Sequence, residues 1–243
     1  LQAEFILMSK AAQASFYTSS ASELEPIKKR VFEQKKSFNE LHAQLQSVVK
    51  NDPELSKSSQ SVEQTYENFL SIVENLLEDK NKQLALNKTL TAQIEAIELS
   101  AEDANSVVLD IIDIDGFEQD HPRAFQAANN LENNFMSVVT NSTDMLTVKT
   151  LTTLDIVKSE QTYYLEEVTR TVALIKPAIE QSHSDLFNDL KEHVEALESN
   201  VKGNNSLAAN KKRLIDSIAL TEKELADSEA ATKIALNQID ELV

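Results

Sequence analysis

At 243 residues and 41% hydrophobic content, the chain can bury a substantial core, which excludes wholesale disorder. Its 40 acidic against 23 basic residues give a formal net charge of −17, which sets aside nucleic acid and anionic membrane surfaces as partners, since both need basic faces. Cysteine is absent, so the sequence holds no disulfide framework, thiolate metal site or thiol nucleophile.

Two glycines and four prolines are too few for a protein of strands and tight turns, and Ala, Leu, Glu, Lys, Gln and Ser fill the sequence instead. The fold class expected is all-α. No apolar run approaches the ~20 residues of a membrane span. The sequence starts at Leu1 inside one amphipathic pattern and stops at Val243 inside another, so the expectation is a piece excised from a larger protein.

In chain order the predicted segments are 1–22, 26–50, 57–113, 121–175, 178–202 and 206–243. The first carries an apolar stripe at helical spacing through Leu1, Phe5, Met8, Ala12 and Phe16. Ser22, with Glu25 three residues on, predicts an N-cap and capping box for the second, with Pro26 in its first turn. Its stripe is Leu24, Ile27, Val31, Phe38, Leu41 and Leu45. Asn51-Asp52-Pro53 is a turn, and the third segment follows with Val62, Tyr66, Phe69, Val73 and Leu76. Its stripe resumes, in phase, at Leu90, Ile94, Ile97, Ala101, Ala104, Val108 and Ile111. Asp115 to Pro122 is the longest polar connection; a break is expected at Lys176-Pro177 and another at Gly203-Asn204-Asn205. The fifth segment shows Ile179, Leu186, Leu190, Val194 and Leu197, and the sixth Leu207, Leu214, Ile218, Leu225, Ile239 and Leu242.

These lengths predict four antiparallel passes: 1–50, 57–113, 121–175 and 178–243. The architecture expected is an elongated rod of two stacked four-helix bundles made from six helices, two of them long and shared. One module would hold 1–24, 84–148 and 204–243, and the other 25–83 and 149–203. A dimeric coiled coil is the rival, and the evenly spaced, capped turns favour the intramolecular arrangement.

One stretch breaks the pattern. Between Leu76 and Leu90 the stripe of the third segment lands on Lys80, Gln83 and Asn87. At about 1.5 Å per residue these fall level with Ser15, Ser19 and Ser22, with Ser142 and Lys149, and with Lys211, while Tyr17 and Arg213 flank the layer. A loose, wet joint whose lysines snorkel to solvent would look like this. So would a cavity lined by hydroxyls, amides and ammonium groups, suited to a small organic anion or polar metabolite. The ligand-binding candidates are therefore Tyr17, Lys80, Gln83, Asn87, Ser142, Lys149 and Lys211. A second candidate site groups His183 with Tyr66, Tyr163 and Arg170, either around a satisfied core histidine or as a carboxylate pocket.

Catalytic signatures are missing. His42, His121, His183 and His193 form neither HExxH nor the paired Glu-x-x-His of di-iron bundles, and no phosphate loop can be built from Gly116 and Gly203. No enzymatic activity, metal or cofactor is expected.

Six helical segments cut from longer helices, with two long segments at 57–113 and 121–175 and breaks near Pro26 and Gly203, resemble the helical bimodular sensor domain. That family forms the periplasmic part of certain bacterial methyl-accepting chemotaxis receptors, and the sensor domains of trimethylamine-oxide-type histidine kinases are similar. The resemblance covers the whole chain and rests on architecture. It implies a periplasmic domain of an inner-membrane protein, held between two transmembrane helices, which pairs as a homodimer and transmits small-molecule binding by helix displacement. Known members clamp organic acids with arginines on the first helix. Here the corresponding stretch, Lys10 to Tyr17, has none, and the chain holds only Arg30, Arg123, Arg170 and Arg213. The resemblance therefore also implies sensing through a periplasmic binding protein. A helical spacer or adaptor with no ligand is the competing class.

Overall fold

The structure, a computed structural model, describes residues 1–241; the stripe position Leu242 lies outside the described residues. Among the described residues every regular element is helical, as composition predicts. The described residues form eight helices rather than six: α1 (Gln2–Phe16), α2 (Ala21–Val49), α3 (Pro53–Ile112), α4 (Phe117–Asp120), α5 (Pro122–Thr147), α6 (Leu151–Ile179), α7 (Ser184–Val201) and α8 (Leu207–Asp240). No helix is long and apolar enough to cross a membrane, among the described residues.

The chain divides into two compact units. Leu1–Ala85 and the described residues from Asp216 onward form the first; Leu86–Ile215 forms the second. This partition replaces the expected modules, because two reversals fall where straight passes were expected.

The first reversal lies between α1 and α2. Glu4 accepts a hydrogen bond from the Ser37 hydroxyl at 3.0 Å, and the rings of Phe5 and Phe38 meet edge to face at 5.5 Å. Residues so far apart in sequence touch only if α1 and α2 form an antiparallel hairpin. The start of α2 is set by Ser20, whose hydroxyl accepts from the Glu23 backbone N–H, while Glu23 reaches back to the Ser19 N–H at 2.8 Å. The capping pattern thus falls two residues before the Ser22 and Glu25 expected for it, and Pro26 lies inside the helix.

The second reversal, between α5 and α6, cuts the segment expected to run unbroken over 121–175. Val148 is extended (φ −63°, ψ 132°), and the Thr150 hydroxyl accepts from the Thr153 N–H at 3.2 Å to start α6. Gln161 then lies against Ser142, so this pair is also an antiparallel hairpin. The break expected at Lys176-Pro177 does not occur: α6 runs through Pro177 and ends at Ile179.

Other turns fall where expected. Asp52 accepts from the N–H groups of Glu54 and Leu55 and starts α3 beside Pro53. Gly203 takes φ 91°, a left-handed conformation that favours glycine, between α7 and α8. This break interrupts a pass without reversing it. His193 of α7 lies near Asp103 of α3, and Asn205 and Asn210 further on both bond Gln93, so the chain keeps running antiparallel to α3.

In the first unit, α1, α2, the first part of α3 and the last part of α8 share one core. Its centre is aromatic: Phe5 contacts Phe38, Tyr66 and Phe69, and Phe38 stacks on Tyr66 with centroids 3.4 Å apart. Gln2 at the start of α1 bonds Asp240 at the end of α8, which puts those two helix ends side by side. The second unit packs the rest of α3 with α5, α6, α7 and the start of α8 around Ile97, Leu131, Leu165, Leu190 and their neighbours. The α3 stripe predicted from sequence is buried on both sides of the polar interruption. Leu41 and Ile218, expected in stripes, are exposed. On α2 the buried positions between Phe38 and Val49 belong instead to His42, whose Nε2 meets the Ser59 carbonyl and hydroxyl, both at 3.1 Å.

Candidate functional site

The polar interruption of α3 has a structural cause in the α1–α2 reversal. When a helix ends, its last carbonyls lose their partners. Lys80 extends from α3 to the end of α1, and its Nζ donates to the Phe16 carbonyl at 2.7 Å while standing 5.8 Å above the Phe16 ring. Partial burial lowers the pKa of this ammonium below the ordinary lysine value. Three residues on, Gln83 is buried and donates through Nε2 to the Ser217 carbonyl (3.0 Å) and the Thr221 hydroxyl (2.8 Å), tying α3 to α8.

The second unit repeats the device. Lys211 of α8 donates from Nζ to the Leu146 carbonyl at 2.7 Å, at the end of α5, and burial lowers its pKa too. Ser142, fully buried, donates to the Val138 carbonyl and accepts from Gln161 Nε2 at 2.6 Å. Gln161 is itself fully buried, and its Oε1 has no partner. Sequence reasoning missed Gln161, although it stands on the α6 stripe of Leu154, Leu165, Val168 and Val172, where a polar residue is an anomaly of the same kind as Gln83. Asn210 was missed as well: it bonds Gln93 Oε1 and the Asn205 carbonyl and accepts from Arg213, closing the turn around Gly203.

The other first-site candidates are exposed. Tyr17 is 79% exposed, and Asn87 and Lys149 face solvent. Tyr17, Lys80 and Gln83 belong to the first unit, and Asn87, Ser142, Lys149 and Lys211 to the second.

The second candidate set is divided between the two units. Tyr66 lies in the first unit; its hydroxyl is buried without a partner, and burial, followed by the charges of Glu74 and Glu4, raises its pKa. Tyr163, Arg170 and His183 lie in the second unit. Tyr163 is exposed, Arg170 pairs with Glu167 on its own helix, and His183 starts α7 with Nδ1 at 3.0 Å from the Ser182 hydroxyl. No arginine-lined carboxylate pocket forms from them.

A carboxylate outside the predicted sites is perturbed. Glu224 of α8 is half-buried, its Oε2 has no partner, and burial, with the charge of Asp79 next, raises its pKa to about 7 despite the nearby Lys82. Among the described residues no group of three or more His, Asp or Glu side chains is placed to hold a metal. What these arrangements do chemically is hold helix ends and bridge helices.

Compared with family models and with curated protein sequences, the chain matches none. Among solved structures it is similar to the sensor domain of the V. parahaemolyticus histidine kinase sensor TorS, with a TM-score of 0.73 at 11% identity, over 99% of this chain and 94% of that one. It is likewise similar to the TorS sensor domain in its complex with TorT in the presence of TMAO, with a TM-score of 0.67 at 12% identity and the same 99% and 94% coverage. At such identity the likeness is one of fold: over nearly its whole length, the chain is similar in fold to the sensor domain of a sensor histidine kinase.

Proposed function

We propose that this chain is the extracytoplasmic sensor domain of a transmembrane sensor kinase, set by a periplasmic binding protein that docks on its surface. The observation that carries this reading is the likeness in fold, across 99% of the chain, to TorS sensor domains, one of them in complex with a second protein. The polar stripe supports it from within. Lys80, Gln83, Ser142 and Lys211 are engaged by helix ends and neighbouring helices, and Arg170 pairs with its own helix, so none is poised to clamp an organic acid. The domain pairs as a homodimer through α1, whose exposed Ile6 and Leu7 add an apolar face to a helix already buried on the other side. Signal passes as a small displacement of α1 against α8, eased by the buried small residues Ala12, Ser15, Ser228 and Ala235.

A second reading is a chemoreceptor sensor that takes a small polar metabolite among its helices. It is favoured by the buried, unpartnered Gln161 Oε1 and Tyr66 hydroxyl, each of which would gain a partner from a ligand.

Calorimetric titration of the chain with purified periplasmic binding proteins, each with and without its own ligand, separates the readings. The expected result is a saturable complex whose affinity changes with that ligand, while small metabolites alone leave the melting temperature unchanged. If no binding protein associates and a metabolite at 100 times its dissociation constant stabilises the chain by ~2.7 kcal/mol, the second reading replaces the first. If neither occurs, the chain is a helical spacer.

A further inference from the structure

The α5–α6 hairpin carries a surface groove of about 730 Å³ that none of the lysine and amide contacts above uses. Such a volume suits a small organic molecule. Its lining has an uneven hydrogen-bonding character. The hydroxyls of Ser137, Thr140 and Ser159 donate to the carbonyls of Asn133, Met136 and Asp155 in their own helices. Asn141, more than nine-tenths buried in the wall, donates its Nδ2 to the Ser137 carbonyl and keeps its carbonyl oxygen without a partner. Backbone carbonyls take the three hydroxyl hydrogens and one Nδ2 hydrogen of Asn141, which leaves these hydroxyl and amide oxygens as acceptors beside the Asn133 amide and the tyrosine hydroxyls.

Two carboxylates complete the lining, Asp144 from α5 and Glu160 from α6, neither in an ion pair, and no lysine or arginine lines the groove. Beside them, Tyr163 and Tyr164 stand edge to face with centroids 5.3 Å apart, Tyr163 is 57% exposed, and Met136 is 59% exposed. Exposed aromatic rings offer negative faces to a cation, and a thioether offers apolar contact to a short hydrocarbon chain. Two carboxylates with no cationic side chain beside them give the lining a negative charge that favours a cation.

We propose that this groove binds a small organic ammonium compound, an aliphatic amine or diamine, with its ammonium group between Asp144, Glu160 and the Asn141 oxygen and its chain against Tyr163 and Met136. The selectivity is for cations: the two carboxylates that hold an ammonium repel a carboxylate of equal size. This is the reverse of the organic anion expected from the lysines, and it stands independently of any docking protein.

Titration calorimetry with 1,4-diaminobutane and butylamine, with butyrate as the anionic counterpart, tests the proposal at about 0.15 M salt, where exposed charges are screened. Both amines should bind saturably and butyrate should not. Asp144→Asn with Glu160→Gln should weaken amine binding at least about tenfold, and Tyr163→Ala severalfold, with helicity unchanged because all three positions are exposed. Glu98→Gln with Glu102→Gln, exposed on α3, removes as much charge elsewhere and should leave affinity within about twofold. Equal weakening by both double variants would overturn the proposal, since it would show only general attraction to an acidic protein. An absence of saturable amine binding would overturn it too, as would butyrate binding as tightly as butylamine.

Discussion

The Nζ of Lys80 lies 2.7 Å from the carbonyl oxygen of Phe16, the last residue of α1. Lys211 stands at the same 2.7 Å from the carbonyl of Leu146, next to last in α5. In both units a lysine from a long helix caps the helix that ends just before a reversal. Replacing either by methionine keeps the aliphatic stem and removes the charged donor. Lys80→Met and Lys211→Met should each destabilise the chain by about 1–2 kcal/mol, because a partly buried carbonyl loses a charge-assisted bond. Urea denaturation measures this; an unchanged midpoint in both variants would mean that water replaces the ammonium without loss.

Gln161 behaves oppositely. Its Nε2 bonds Ser142, but its Oε1 is buried without a partner, and Ser142 retains its bond to Val138. Gln161→Leu should therefore leave stability unchanged or raise it by up to about 1 kcal/mol, since an orphaned acceptor disappears. A loss above that size would show that a water or ligand satisfies the oxygen in solution.

Asn87, for all its place in the stripe count, faces solvent. Asn87→Leu should change stability by less than about 0.5 kcal/mol and alter no ligand response. A large change in either direction would put this residue back inside the protein.

Glu224 supplies a pH dependence. Its pKa in the folded chain is about 7, against an ordinary 4.5, so protonation favours the fold. The stability it contributes is complete below its unfolded pKa and is lost as pH rises through about 7. Glu224→Gln should match the wild type near pH 4 and melt above it at pH 8. A constant difference between the two proteins across that range would rule out titration of this group.

The hairpin of α1 and α2 can be measured directly. Spin labels at Leu7 and Lys36, both exposed, would sit about 43 Å apart on one straight helix. The adjacency of Glu4 to Ser37 and of Phe5 to Phe38 predicts a separation short enough for the labels to couple strongly.

Much of this protein is written in its sequence. The absence of Gly and Pro from long stretches dictates helices, and the stripe of α3 names the buried residues from Val62 to Ile111, because a side chain's face follows from helical spacing alone. The same count exposed Lys80 and Gln83 as anomalies. It could not say what answered them, since a polar position in a stripe looks the same whether its partner is a ligand, a solvent layer or a distant carbonyl.

Tertiary structure alone decided where the chain turns back. Val148-Lys149-Thr150 and Thr18-Ser19-Ser20 contain no glycine or proline, and Ser20 and Thr150 cap new helices with side chains that also occur in helix interiors. An apolar stripe has the same period on either side of a reversal, so periodicity fixes which face is buried and carries no record of direction. Direction is settled when both arms close on one core. Phe5 meets Phe38 and Tyr66 only if α1 and α2 fold back, and Lys80 and Lys211 then close the helix ends that the reversals leave open.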